Sequence, residues 1–229
     1  AYFPISFLAA FYADNLRKKT DRWAWYNTLG LFVIGGLIAI VLAAVPFVGK
    51  NTEWLFPYIN DPFAKANLSA DVKWTGVESV IGFFYLALLI IGYIMIRKQF
   101  YLPGVGTFFL ATLITVQSVM MVIVPKIEGY TQRAAIAFYK ERQGEDCYVE
   151  VLGFKSFAHL FYARKLPKNA AANTPKPEGM PFQKWLLKGA IDKPAYFVAK
   201  ITHADKYKEM PALTVIDEKN GFVFFKREP

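Results

Sequence analysis

Three stretches of this chain contain no charged side chain: Ala24 to Gly49, Ser79 to Ile96 and Gln99 to Pro125. At about 1.5 Å of rise per residue, helices of these lengths match the roughly 30 Å hydrocarbon layer of a bilayer. Lipid-crossing helices are therefore expected over about 24–48, 78–96 and 100–124. From residue 125 to the end the chain changes character. It holds 18 of the 27 Lys and Arg, against 12 of the 18 Asp and Glu, and has no apolar run long enough to cross again.

Residues 1–13 are uncharged and apolar, yet a helix of that length covers only about 20 Å. A signal peptide is disfavoured, because no Met or basic region precedes the segment and its charges follow it. The expectation is a partial transmembrane helix, with further membrane segments upstream of this sequence; a re-entrant or interfacial segment is the alternative. The fold class expected is thus a membrane α-helical bundle of three full transmembrane helices plus a partial one, over residues 1–126, followed by a small α/β soluble domain over 127–229.

Orientation follows from the cations in short loops. Arg17, Lys18, Lys19 and Arg22 lie before the first span, and Arg97 and Lys98 lie between the second and third, so both loops are expected in the cytoplasm. Three crossings then put the loop 50–77 and the carboxy-terminal domain on the exoplasmic, or periplasmic, side of a bacterial inner membrane. Trp23, Trp25 and Tyr26 at one end of the first span, and Trp54, Phe56 and Tyr58 beyond the other, suit the two interfacial belts. The net charge of +9 is spread without a basic motif or stripe, so anionic lipid explains it better than nucleic acid. The single Cys147 excludes an internal disulfide and a cysteine-pair zinc site; a buried strand residue is expected there.

Local signals fill in the plan. Thr75-Gly-Val-Glu78 is a capping-box pattern that would satisfy the first amides of the second span, which gives Glu78 a structural role. Gly35, Gly36, Gly82, Gly92, Gly104 and Gly106 permit close helix approach. Pro125 is expected to close the third span, with a helix over Tyr130 to Arg142 leading onward. Strands are expected over Cys147 to Leu152, Ala195 to Ile201, Ala212 to Asp217 and Phe222 to Arg227, the last two joined by an Asn-Gly hairpin turn. Short helices are expected over Lys155 to Arg164 and Phe182 to Lys188, with an exposed loop over Leu166 to Pro181.

The common soluble catalytic constellations are missing. The sequence has no glycine-rich phosphate loop, no Gly-x-Ser-x-Gly elbow and no His-Glu-x-x-His, and its two histidines, His159 and His203, argue against a His-based zinc site. The loop 50–77 offers aromatic and charged groups at membrane level, including Trp54, Lys65, Lys73 and Trp74. Aromatic rings stack on sugar faces and Lys neutralises phosphate. An interfacial belt with solvated charges has the same composition.

The start Tyr2-Phe-Pro4-Ile-Ser-Phe-Leu-Ala-Ala resembles, with its Pro one residue early, the Tyr-x-x-Pro-x-x-x-Ala helix start in the C-terminal half of aminoarabinose transferases acting on lipid A and of their protein-mannosyltransferase relatives. Pro125-Lys-Ile-Glu-Gly-Tyr-Thr-Gln132 is similar to the junction between their last membrane helix and periplasmic domain. The segments Cys147 to Tyr162, Lys193 to Val198 and Gly221 to Arg227 resemble that domain in a bacterial subgroup. The resemblance implies a C-type membrane glycosyltransferase that moves a sugar from a polyprenyl phosphate donor to a lipid A-like or other envelope acceptor. It implies a main catalytic carboxylate upstream of this chain, so no catalytic role falls on Glu78, Asp61 or Asp71. Donor or substrate contacts are expected from Tyr2, Trp54, Lys65, Lys73 and His159, with Lys50 also placed to meet the phosphate. A cation or a divalent metal would stabilise the leaving group. The alternative is a non-catalytic membrane-anchored subunit that displays an α/β domain to a partner protein or envelope polymer.

Overall fold

The computed structural model describes residues 2–229, and the backbone alone at Tyr2. In chain order the helices are α1 (Tyr2–Arg17), α2 (Trp25–Lys50), α3 (Pro62–Leu68), α4 (Val80–Arg97), α5 (Tyr101–Ser118), α6 (Val124–Thr131), α7 (Arg133–Glu141), α8 (Ala158–Tyr162), α9 (Phe182–Lys188) and α10 (Ile201–Lys208). The strands are β1 (Tyr148–Leu152), β2 (Ala195–Lys200), β3 (Thr214–Lys219) and β4 (Phe222–Arg227). The chain divides into two compact units, Ala1–Asn51 with Lys73–Lys126, and Thr52–Val72 with Ile127–Pro229.

The first unit is a bundle of membrane-type helices. Trp25–Lys50, Val77–Arg97 and Tyr101–Thr131 are each long and apolar enough to cross a bilayer. Ile34, Leu37 and Ile40 on α2, Phe83 on α4, and Phe109 and Leu113 on α5 point outward, where hydrocarbon rather than water suits them. Small residues bring the helices together. A side chain at Gly82 would collide with the Ala39 carbonyl, one at Gly92 with the Phe108 ring, and one at Gly104 with the Ile96 side chain. Gly36 and Gly106 face open space, so the close approach expected of them is not made.

The third span does not end at Pro125. Proline lacks an amide hydrogen, and its ring strikes the carbonyl four residues back. Here a π-helical stretch, Val119–Ile123, precedes it, and the Val124 amide donates to the Val119 carbonyl five residues away. The wider turn absorbs the misfit, and the helix continues to Thr131. The helix expected over Tyr130 to Arg142 is broken instead at Gln132, whose φ of −131° is not helical.

The second unit is built on a four-stranded sheet of order β1-β2-β4-β3. β1 and β2 are parallel; β2 with β4, and β4 with β3, are antiparallel. Alternation along the strands gives the sheet two apolar faces. Tyr148, Leu152, Phe197, Val223 and Phe225 pack with Trp185, Leu186 and Tyr207 on one face. Val149, Val151, Val198, Phe222 and Phe224 pack with Phe138, Tyr139 and Ala163 on the other. Helices thus cover both sides, the three-layer answer to a sheet with two oily faces. α3 joins this unit, and its Phe63 ring meets Phe222 edge-on at 5.2 Å.

Asn220 and Gly221 form the hairpin turn, both at positive φ, 48° and 78°, as the mirror-image turn requires. Two expectations are corrected. The helix expected over Lys155 to Arg164 shortens to α8, and the strand expected to reach Ile201 stops at Lys200, where α10 begins. α10 hides its period among charges: Ile201, Ala204 and Tyr207 recur at helical spacing, and the last two are buried.

The loop between α8 and α9 is fastened rather than loose. Asn169, buried among polar neighbours, donates to the Cys147 carbonyl at 3.2 Å and accepts from Lys193 at 2.9 Å. Lys168 and Lys193 clamp Asp146 at 2.6 and 3.0 Å. Their hydrogen bonds, Lys168's first, hold the Asp146 carboxyl well below the usual carboxylate range. Burial pushes the Cys147 thiol up, although Lys165 Nζ sits 2.9 Å from its sulfur; the cysteine is a packed residue at the entry to β1.

Phe197 has no solvent exposure. Phe197→Ala is expected to cost about 3–5 kcal/mol through lost burial and the cavity left behind. Denaturant unfolding in detergent, followed by Trp fluorescence, checks this: an unchanged midpoint would contradict the assigned core.

Candidate functional site

The membrane helices alternate in direction, so the end of α2, the segment Lys73–Ser79 and Lys126 in α6 meet at one end of the first unit. Lys50 Nζ donates to the Thr75 carbonyl at 2.8 Å, and Lys126 Nζ donates to the Lys73 carbonyl at 2.6 Å. Ser79 Oγ reaches back to the Ala43 carbonyl of α2 at 2.8 Å. Trp74 is buried beneath this strap, with Lys126 Nζ 5.3 Å from its ring centre. A side chain at Gly49 would collide with the Trp74 indole, so glycine is what lets α2 close over it.

Glu78, only 6% exposed, is the centre of the cluster. Its carboxylate accepts from the Thr75 amide at 3.2 Å, the Thr75 hydroxyl at 3.0 Å and the Gly76 amide at 2.7 Å. Lys126 Nζ lies 2.6 Å from the same carboxylate. The Thr75 hydroxyl in turn accepts from the Val77 amide at 3.3 Å. The capping pattern is therefore present, but a lysine 48 residues away completes it. A carboxylate holding four donors is poorly suited to accept a substrate proton, so its work is to fix the helix ends.

Lys126 is neutralised by Glu78; Lys50 holds only a carbonyl, and the Lys73 side chain is exposed. Two positive charges thus remain at the mouth of an apolar bundle, beside an indole. This arrangement suits an amphiphile with an anionic head, since the head meets cations where the tail leaves water.

The other residues singled out from the sequence lie elsewhere. The side chain of Tyr2 is outside the described residues. Trp54, 65% exposed, stands on the seven-residue 3₁₀ helix Thr52–Tyr58, and Lys65 is half-buried in the last turn of α3; both belong to the second unit. His159 is buried in α8, its Nε2 3.5 Å from Glu150 Oε1 and its Nδ1 without a hydrogen bond. Burial pushes its imidazole below its ordinary value, opposed by the Glu150 charge. Among the described residues no three His, Cys, Asp or Glu side chains assemble as a metal site. The sequence reading missed Lys126. The available signal was a lone cation immediately after the proline of an otherwise uncharged span.

No family model matches the chain, and no curated protein matches it. Among solved structures, it is similar to ArnT from Cupriavidus metallidurans bound to undecaprenyl phosphate, at 13% identity and a TM-score of 0.47, over 86% of this chain and 36% of that one. The apo state of the same protein gives 14% identity and a TM-score of 0.44, over 83% of this chain and 37% of that one. The chain spans little more than a third of the length of the solved structures it matches.

Removing Lys126 would leave Glu78 charged and buried. Lys126→Met is expected to destabilise the first unit by about 3–5 kcal/mol, and adding Glu78→Gln should recover a large part of that loss. A double-mutant cycle of unfolding in mixed micelles measures the coupling, and additive effects would contradict it.

Proposed function

We propose that this chain is part of an integral membrane glycosyltransferase and that the helix-end lysines hold the phosphate of a polyprenyl phosphate sugar donor. The observation that carries the reading is the pair of cations, Lys50 and Lys73, left at the rim of three apolar helices after Lys126 is spent on Glu78. The sequence resemblance to aminoarabinose transferases and protein mannosyltransferases supports the same class.

The chemistry fits the charge. In a polyprenyl phosphate sugar, the phosphate is a diester with one negative charge. When the sugar–oxygen bond breaks, the bonding pair stays on the phosphate oxygen and the product carries up to two. Fixed ammonium groups therefore bind the transition state more tightly than the donor, which is the condition for catalysis. The apolar helix faces suit the first isoprene units, and the tail stays in hydrocarbon. Under this proposal the multi-pass chain sits in a bacterial inner membrane with these lysines on the periplasmic side, and the acceptor is lipid A-like or another envelope glycan. The general base is not Glu78 and is supplied by a carboxylate outside this cluster.

Undecaprenyl phosphate, the ligand of one Cupriavidus metallidurans structure, is a suitable probe. The full chain in nanodiscs should retain it in native mass spectrometry, and the double variant Lys50→Met, Lys73→Met should weaken retention at least about tenfold, equivalent to about 1.4 kcal/mol. Equal retention by the variant would overturn the phosphate assignment. No retention by the wild-type chain would favour the membrane-anchored, non-catalytic subunit instead.

A further inference from the structure

α8 departs from the charged surface of the unit to which it belongs. Phe157 at its N-terminal boundary, Leu160 and Phe161 are 81%, 61% and 73% exposed. Their spacing of i, i+3 and i+4 gathers them on one side of the helix, while His159 and Ala163 are buried on the other. Three large apolar side chains grouped in this way on a water-facing unit mark a surface that something covers.

Two observations identify the cover. The first is charge. From Val151 to Pro177 the chain carries Lys155, Arg164, Lys165, Lys168 and Lys176 and no acid. Lys165 is held at Cys147 and Lys168 at Asp146. Lys155 and Arg164, which flank the three apolar residues, are exposed and form no ion pair among the described residues. The second observation is height. The third span leaves its uncharged stretch at Pro125 and continues as helix to Thr131, a rise of no more than about 9 Å. Thr131 and Gln132 line one cavity with Lys155 and Ser156, so the start of the exposed face is fixed beside the end of that helix. The headgroup layer extends roughly 5–7 Å beyond the hydrocarbon on each side, within reach of side chains at that height.

We infer that the Phe157–Phe161 face of α8 seats in the headgroup boundary of the bilayer that the spans cross, on the side where the third span ends, with Lys155 and Arg164 on anionic lipid phosphates. Aromatic rings are favoured at that boundary, and flanking cations are drawn to an anionic leaflet. A protein partner would have to match the apolar face and bring two acids to its rim, whereas an anionic lipid surface answers both together. The third span and α8 then hold the α/β unit to the membrane at two points. This inference rests on the spans crossing a bilayer and makes no use of the donor reading.

The test uses the full chain in nanodiscs, with a nitroxide attached at Phe161→Cys in a Cys147→Ala background. Dissolved oxygen concentrates in hydrocarbon and a charged nickel chelate stays in water, so power saturation reads the side of the boundary on which the label lies. In discs containing phosphatidylglycerol the label should favour oxygen over the chelate. Adding Lys155→Glu and Arg164→Glu should lower the oxygen-to-nickel ratio at least about twofold. An unchanged unfolding midpoint in the reversed variant separates lost docking from lost folding. A label that favours the chelate before the charges are reversed lies in water and overturns the inference. Low access to both reagents shows that a second copy or another polypeptide covers the face, which also overturns it. An oxygen preference that charge reversal does not move refutes the anionic-lipid assignment.

Discussion

Glu78 places a charge where little water reaches, at the lip of a bundle whose three apolar stretches, 24–49, 79–96 and 99–125, carry none. The cost of desolvating such a group is several kcal/mol even after relaxation, and leaving it unpaired is not tolerated. The arrangement of the first unit answers that demand. The segment before α4 turns so that its own amides point at the carboxylate, α6 supplies Lys126, and Lys50 of α2 grips the same segment from the other side. Three spans are thus tied at one end by hydrogen bonds and along their length by glycines. Within hydrocarbon the helices satisfy their own backbone groups, so polar ties are confined to the ends.

The two units use unlike solutions to the same problem of buried apolar surface. In the first, large side chains face outward and small ones face inward, because lipid tails are as apolar as the side chains and packing alone holds the helices. In the second, Trp185, Phe197 and Phe225 are fully withdrawn and the surface is charged, as water requires.

How much of this was legible in the residues depends on the range of the interaction. The spans were readable because absence of charge over about twenty residues has one physical meaning. The Asn220-Gly221 turn was readable because few dipeptides accept two positive φ values. Pro125 misled, since a π turn six residues earlier absorbs a clash that local rules treat as a stop. α10 was missed because its buried positions are only Ala204 and Tyr207 among charged neighbours. Of the residues in the Glu78 cluster, Lys73 and Lys50 were within reach from the loop's composition, whereas Lys126 is recruited across 48 residues by folding alone. Trp54 and Lys65 lie close in sequence to Lys73 yet fold with the other unit, a partition that adjacency conceals.

The central claim is that the three apolar helices cross a bilayer and present the Glu78 end and the Arg97 end to opposite sides. Its most direct measurement is labelling by a membrane-impermeant maleimide in intact spheroplasts, with single cysteines placed by Val77→Cys or Lys98→Cys in a Cys147→Ala background. The Val77 side chain is exposed (71%) and makes none of the ties described, where only its backbone amide takes part, so its replacement tests position alone. The account predicts labelling at position 77 from outside, and at position 98 only after the membrane is opened. Labelling of both positions from the same side would contradict it.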